Sequence, residues 1–442
     1  LITGAALPDY PVEDLREGFK DNGYRADDSV TIVGWMKDMP AEAWEKGRSV
    51  EILRNNIFMD KQESFVAAMD STGRFSVRVP LVNTSEIYID IGRKGINTVV
   101  EPGETYFLLH DFSTGHVLFM GEDVRLQNEL QTHPPLYVDG YLRKGQGTVD
   151  EFRIQMEEKY RHAVEELSRR VEEHPNLSRR YRYYMESFVL TGLGCSMMQA
   201  RFAVPGWQLP EDYVDFVRTK VWQRPPKPYT LCQTFSTLMR DYIDHSSEAK
   251  DKVRGDVTFN AFESLQQRGE ISMTEEEVNA VEAYQLVVRE LQEKLNAEPS
   301  DSLRQRMVVE FGKSELSQRF MSLVTRFEDV LNEEILIDNI DFWKEDAESV
   351  GCDSFLCQIH LARKLYGLID NMRKPLPDRM MAKAEWGIRL EGGWDIVSRE
   401  QEKYVAIQNR DLSDVSSLRS AEYVKDVTGG EALLRKLTEP YH

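Results

Sequence analysis

Cysteine is scarce in this sequence. The 442 residues include four cysteines, Cys195, Cys232, Cys352 and Cys357. No two of them form a Cys-x-x-Cys pair, which is the spacing of thioredoxin-type redox sites and of many zinc sites. A chain of this length buries an adequate core without covalent cross-links, and an even cysteine count is weak evidence for disulfides. The cysteine content therefore indicates neither a disulfide framework nor a complete redox site.

Motifs for catalysis and metal binding are also missing. The eight histidines are scattered, and none forms the His-x-x-x-His or His-Glu-x-x-His pair of a zinc site. There is no Gly-x-Ser-x-Gly motif and no glycine-rich loop that opens a helix. His360 falls near the apolar stripe of a predicted helix, where we expect a hydrogen-bonded histidine rather than a metal ligand. We accordingly predict no catalytic residue, cofactor-binding residue, metal ligand or cofactor in this chain.

Basic residues are outnumbered, and long apolar runs are absent. The chain has 55 Lys and Arg against 75 Asp and Glu, which gives a net charge of −20. A negative field repels nucleic acid, so we expect no nucleic-acid partner. No stretch approaches the ~20 consecutive apolar residues of a membrane-spanning helix, so we expect no transmembrane segment. The composition leaves the oligomeric state open.

The first third of the chain carries a strand pattern. Apolar and polar residues alternate from Arg74 to Leu81, with Phe75, Val77 and Val79 on one face. The turn-forming cluster at residues 70–73 precedes this run and predicts a hairpin. Short strands separated by Gly-rich and Asp-rich turns are typical of a small sandwich. We predict an N-terminal extension over residues 1–27 and an antiparallel β-sandwich over residues 28–125.

The period of the apolar residues changes to 3.6 further along, which predicts an α-helical domain over residues 126–377. Thr274 and Glu277 form a capping box that opens one helix, and Pro375 ends the last long helix. Over residues 378–442 we predict a small hairpin, centred on Gly392 and Gly393, and a short helix near 430–437. The fold class is thus α+β, with an N-terminal antiparallel β-sandwich followed by a mainly α-helical domain.

Cys352 and Cys357 flank a predicted helix start. Asp353 is the expected N-cap, so Cys352 precedes the cap and Cys357 is the fourth helical residue. These two positions touch in a hydrophobic staple. Two outcomes remain open: a disulfide in an oxidising compartment, or two reduced thiols in staple contact.

Three segments together resemble a known family. They are residues 67–75 (AAMDSTGRF), residues 99–104 (VVEPGE) and residues 433–441 (LLRKLTEPY). In this order, around a helical middle, they resemble the TlpA-like thiol–disulfide oxidoreductases of Bacteroidetes. In that family a sandwich and a helical region precede a thioredoxin domain with a Trp-Cys-x-x-Cys site.

The resemblance implies that this chain is the non-catalytic accessory region of such a protein, with the thioredoxin domain itself absent. None of the four cysteines corresponds to the family's active pair, so no catalytic residue carries over. The implied location is the periplasm or cell envelope, which the chain reaches by export. A lipid anchor is one form of attachment that the family uses. The implied partners are the chain's own thioredoxin domain or a client protein.

The alternative is a stand-alone envelope binding protein with a groove between sandwich and helices. Interfaces between domains are favoured sites for pockets. Six tryptophans are candidates to line such a groove: Trp35, Trp44, Trp207, Trp222, Trp386 and Trp394.

Overall fold

The computed structural model describes residues 16–91, 95–121, 123–246, 255–298 and 300–409. The short helix predicted near 430–437 lies outside the described residues. Among the described helices, none is long and apolar enough to cross a bilayer.

The N-terminal part contains two four-stranded sheets. Sheet A has the strand order β4-β1-β7-β8 and sheet B the order β3-β2-β5-β6. The strands are β1 (Ser29–Lys37), β2 (Ser49–Asn56), β3 (Lys61–Ala68), β4 (Arg74–Pro80), β5 (Ser85–Asp90), β6 (Gly95–Val100), β7 (Thr105–Asp111) and β8 (His116–Met120).

The helices follow the sheets, apart from one that lies between β1 and β2. They are α1 (Ala41–Lys46), α2 (Arg125–Thr132), α3 (Val149–Glu173), α4 (Arg179–Gln199), α5 (Glu211–Val217), α6 (Gln233–Ser246), α7 (Gly255–Gln267), α8 (Glu275–Ala297), α9 (Asp301–Gly312), α10 (Glu315–Arg326), α11 (Glu328–Ser349), α12 (Ser354–Met372), α13 (Asp378–Gly387) and α14 (Glu391–Gln408). The α+β fold class is confirmed. The capping box of Thr274 and Glu277 is present as predicted.

One strand pair departs from the otherwise antiparallel pairing of the two sheets. β1 pairs antiparallel with β4 but parallel with β7, with Ile32 opposite Tyr106. A hairpin forces its two strands to run in opposite directions, whereas β1 and β7 are joined through the whole of sheet B. The turn at residues 70–73 is also no simple hairpin, because β3 and β4 belong to different sheets.

Alternating side chains fill the space between the sheets. Val50 and Ile52 of β2 are fully buried, as are Ile87 and Ile89 of β5. Since successive strand residues point to opposite faces, each of these pairs lies on the inner face of sheet B.

Helix α2 closes one side of this sandwich with side-chain amides. Asn128 accepts from the Phe119 N–H at 2.8 Å and donates to the Phe119 carbonyl at 2.8 Å on β8. Gln127 donates to the Val99 carbonyl of β6 at 2.7 Å. Edge strands carry unpaired backbone groups that must be satisfied. One short helix therefore supplies hydrogen bonds to edge strands of both sheets.

Sandwich and helices share one core. Tyr24, Phe58 and Val82 come from the β-rich part, and they belong to the same buried cluster as Leu361 and Met380 of the helices. The two parts are thus joined by apolar packing rather than by a free linker.

The hairpin predicted around Gly392 and Gly393 is wrong, because both residues lie in the first turn of α14. A Cβ at Gly392 would lie 2.9 Å from the Tyr24 carbonyl oxygen, and one at Gly393 would lie 2.9 Å from the Phe58 ring. The glycines therefore permit close approach of the helix to the sandwich and do not make a turn.

We expect Gly393→Ala to destabilise the fold although alanine is the better helix former. Overpacking a filled site costs about 1–3 kcal/mol, against a helix-propensity gain of about 1 kcal/mol. The matched control is Gly367→Ala in α12, where nothing lies within 4 Å of the new Cβ. Urea denaturation should show a loss for the first variant and a gain for the second. A gain in both would contradict the close approach.

Candidate functional site at the sandwich–helix seam

The predicted cysteine pair lies at the start of α12. Asp353 is the N-cap, as predicted, and its carboxylate accepts from the N–H groups of Phe355 at 3.1 Å and Leu356 at 3.0 Å. Cys352 and Cys357 are both free thiols. The Cys357 Sγ lies 3.6 Å from the Cys352 carbonyl oxygen. The disulfide alternative stays a prediction.

The surroundings of this pair suppress thiolate chemistry. Burial raises the pKa of Cys357 to about 11, and it raises the pKa of Cys352 further. The thiolate is the nucleophile in thiol–disulfide exchange, and reactive cysteines have lowered pKa values. Both side chains are therefore protonated near neutral pH, unlike the attacking cysteine of a redox site.

Slow alkylation of these thiols is the expected outcome. At pH 8 we expect iodoacetamide to modify Cys357 at least about tenfold more slowly in the folded chain than in urea, because so little thiolate is present. Peptide mapping by mass spectrometry gives the rate at each cysteine, and a Cys357→Ser variant identifies the signal. Equal rates in folded and unfolded protein would show that the site is reactive.

Asp353 also connects two chain segments. It accepts hydrogen bonds from the Tyr229 hydroxyl and from Lys227 Nζ at 3.1 Å. Burial opposes ionisation of Asp353, yet the hydrogen bonds from Tyr229 and Leu356 hold its pKa below the usual value. The Tyr24 hydroxyl accepts from the Tyr229 N–H at 2.8 Å. This carboxylate is thus occupied with holding the start of α12 in place.

A buried arginine, Arg363, crosses the contact between the sandwich and the helices. We call this contact the seam and define it by Asp60, Glu86, Ser236, Arg240 and Arg363. Arg363 of α12 donates to the Ile57 carbonyl at 3.1 Å and to the Ser236 carbonyl at 3.0 Å. It also donates to the Ser236 hydroxyl at 2.5 Å and lies 3.5 Å from the Asp60 carboxylate. Asp60 in turn pairs with Arg240 at 2.7 Å. The turn after β2 is thereby tied to both α6 and α12.

A second buried carboxylate extends this network. Asp241 is fully buried and pairs with Arg201 at 2.7 Å and with Arg240 at 2.9 Å. Gln199 donates to the same carboxylate. Both carboxylates are paired with arginines from different helices, so the network is suited to fixing the seam rather than to chemistry.

His360 departs from its expected role as a hydrogen-bonded histidine. It is 1% exposed, and neither ring nitrogen has a hydrogen-bond partner among the described residues. Burial, reinforced by the charge of Lys364, lowers its pKa to about 3. Its place on the buried face of α12 was readable from the sequence, but the missing partner was not. The imidazole is therefore neutral at physiological pH.

Glu86 is a seam residue that sequence reasoning missed. It lies in β5 and is 5% exposed. Its carboxyl accepts from the Gln233 N–H at 2.9 Å. Burial raises its pKa to about 7, although the Gln233 N–H and the Tyr184 hydroxyl both act to lower it. In the sequence, Glu86 is a carboxylate within a strand, which is normally exposed. Its burial becomes predictable only when it is known that helices cover this part of the strand.

The tryptophans proposed for a groove do not gather at the seam. Trp222 is buried among helices, and Trp394 is partly buried against the core that sandwich and helices share. Trp44 packs against the sandwich core, and Trp35 is 36% exposed on sheet A. Trp207 and Trp386 are 61% and 77% exposed. The seam is instead occupied by the charged residues described above.

No group of three or more metal-ligating side chains occurs within the described part of the chain. The structure does bring together His133 and His174, whose ring centres are 4.5 Å apart. Because these two histidines are far apart in the sequence, their contact was not predictable from it.

A cavity of about 190 Å³ opens at one end of the sandwich, between the sheets and beneath α1. Its apolar lining residues include Met36, Met39, Ala43, Val50, Met69 and Phe112, and its polar lining residues are Ser49, Glu51 and Asp90. No protein-family model, curated protein or solved structure matches this chain.

Proposed function

We propose that this chain is the non-catalytic accessory region of an envelope thiol–disulfide oxidoreductase of the thioredoxin-like family. It positions the redox domain or recognises the client protein. The resemblance at residues 67–75, 99–104 and 433–441 suggests this role. The observation that carries it is the state of the cysteine pair: both residues are free thiols, the Cys357 Sγ lies 3.6 Å from the Cys352 carbonyl oxygen, and burial raises the pKa of both thiols.

The seam supports a positioning role. A platform that orients another domain must keep its own parts fixed, and here a shared core and the ion pairs of Asp60 join the two parts. Export to the periplasm or cell envelope belongs to the same proposal.

The test is a disulfide-reduction assay with the full chain. Insulin reduction by dithiothreitol should proceed at the uncatalysed rate in its presence. Cys352→Ser and Cys357→Ser variants should behave in the same way. Acceleration that disappears in either variant would make the chain an enzyme and contradict the proposal. The codons after residue 442 are expected to encode a thioredoxin domain, and a reading frame without one would also contradict it.

The alternative of a stand-alone binding protein retains one supporting observation. The cavity beneath α1 is large enough for a small apolar group, but it lies between the sheets and not at the seam.

A further inference from the structure

His133 and His174 form a close pair of imidazoles outside the seam. Their ring centres lie 4.5 Å apart, and the rings are tilted by 53°. His133 is the C-cap of α2 and His174 is the C-cap of α3. Among the described residues, neither imidazole makes a side-chain hydrogen bond or an ion pair. The ring nitrogens are therefore available to a ligand.

The backbone holds both histidines in place. Each is followed by a proline, Pro134 or Pro175, which restricts the backbone of the residue before it. Each also donates its backbone N–H to the carbonyl four residues earlier, at 2.7 Å for His133 and 2.9 Å for His174. The Tyr181 hydroxyl donates to the His133 carbonyl at 3.1 Å. The two rings are thus held side by side before any ligand arrives, which lowers the cost of binding.

The separation of the rings fits two ligands in neighbouring positions around one metal ion. An imidazole nitrogen binds a metal such as Zn²⁺ at about 2.0–2.1 Å, and the ring centre lies roughly 1.1 Å further out. Two imidazoles at a right angle about the metal then have centres roughly 4.5 Å apart, whereas the tetrahedral angle gives roughly 5.1 Å. The 4.5 Å between His133 and His174 matches the right angle. Right angles between ligands are typical of square-planar and tetragonal Cu²⁺ and Ni²⁺.

The surroundings of the pair accept a cation. Both rings lie at helix C-termini, where the macrodipole is negative. Burial, followed by the charges of His174 and Arg170, lowers the pKa of His133, so its imidazole is in the neutral form that binds metals. Arg170 is itself paired with Glu166 at 2.9 Å, which offsets its charge. His174 is exposed and His133 is half-buried, so water can reach the other coordination positions.

We propose that His133 and His174 together bind one divalent transition-metal ion that prefers imidazole ligands, with water in its other coordination positions. No third ligand joins this pair within the part of the chain that the structure describes, so the ion is exchangeable, unlike the ion of a closed structural site. It connects the C-termini of α2 and α3. Because α2 also supplies the amides that cover the edges of β6 and β8, the ion stabilises that covering helix.

The test follows Ni²⁺ binding to the full chain by NMR of ¹³C-labelled histidine side chains. Ni²⁺ binds imidazole and leaves the thiols of the chain in their reduced form. We expect the imidazole signals of His133 and His174 to broaden first and together, with one ion bound per chain. His174→Ala and His133→Ala should each weaken binding at least about tenfold.

His162 of α3 provides the matched control. It is exposed and lies 3.6 Å from Glu165 and 3.8 Å from Glu158, so it offers one imidazole beside carboxylates. His162→Ala should leave nickel binding unchanged. Because His174 is exposed as well, its replacement by alanine should leave the fold intact, and urea denaturation without metal checks this.

A second measurement is the midpoint of thermal unfolding. Nickel should raise it more in the parent protein than in His174→Ala, because an ion that binds the folded state stabilises that state. Equal broadening of other histidines, or unchanged binding in His174→Ala, would show an adventitious ion only and overturn the assignment. The insulin assay measures a different property, so its outcome leaves the metal result as measured.

Discussion

Replacing Arg363 with methionine is expected to destabilise the fold by about 3–5 kcal/mol, the usual cost of removing one member of a buried charged contact. The guanidinium is 6% exposed and donates to Ile57 and Ser236. Methionine fills similar space but removes the guanidinium donor from the Ile57 carbonyl, the Ser236 carbonyl and the Ser236 hydroxyl. A buried polar group that loses its partner costs about 1–3 kcal/mol. Equilibrium denaturation in urea measures the loss.

The control for this variant is Arg399→Met in α14. Arg399 pairs with Asp395 at 2.9 Å, but its side chain is 69% exposed. Exposed pairs contribute about 0–1 kcal/mol, so this variant should stay close to the parent protein. Similar losses in the two variants would mean that Arg363 does not bridge the seam.

Two buried groups should give the stability opposite dependences on pH. The pKa of Glu86 is about 7 in the folded chain and 4.5 as an ordinary glutamate. Below pH 4.5 the carboxyl is neutral in both states, so its burial costs nothing extra. Between pH 4.5 and 7 the Glu86 carboxyl is ionised in the unfolded chain but still protonated in the folded chain. The free energy of unfolding therefore falls by about 3 kcal/mol over this range.

His360 acts in the other direction. Its pKa is about 3 in the folded chain against an ordinary 6.5. Above pH 6.5 the ring is neutral in both states. As the pH falls from 6.5 towards 3, the unfolded state takes up a proton that the folded state refuses, and stability falls by about 5 kcal/mol.

The two slopes cancel in the parent protein between about pH 4.5 and 6.5, and single variants separate them. Glu86→Gln retains an acceptor for the Gln233 N–H. The difference in free energy of unfolding between this variant and the parent should rise by about 3 kcal/mol from pH 4.5 to 7, because only the parent loses stability there. For His360→Leu the same difference should grow as the pH falls below 6.5. Urea denaturation at several pH values measures both, and subtraction of the parent curve removes the other titrating groups. Flat differences would mean that neither group is buried as described.

The predicted fold class came from patterns that each need only local information. Period-two alternation places Val50 and Ile52 on one face, and the N-cap at Asp353 depends on a side chain next to its own helix. The parallel pairing of β1 with β7 depends instead on which distant strands meet. Local alternation is the same for both directions of pairing.

The errors in the helical part have one cause. Gly392 and Gly393 were interpreted as a turn because glycine most often marks one. Their role depends on Tyr24 and Phe58, which lie more than 300 positions earlier in the sequence. His360 and Glu86 are similar, since burial by distant elements sets their pKa values. The cysteine pair was accessible from sequence because Cys352 and Cys357 flank one helix cap.

The amides of α2 have a consequence for how the protein can be divided. A fragment that ends at residue 121 would expose the edges of β6 and β8 at once, and such edges promote aggregation by intermolecular pairing. A fragment that continues through Thr132 would keep Gln127 and Asn128 in place. A fragment that keeps these two edges covered therefore has to end inside what periodicity alone assigns to the start of the helical region.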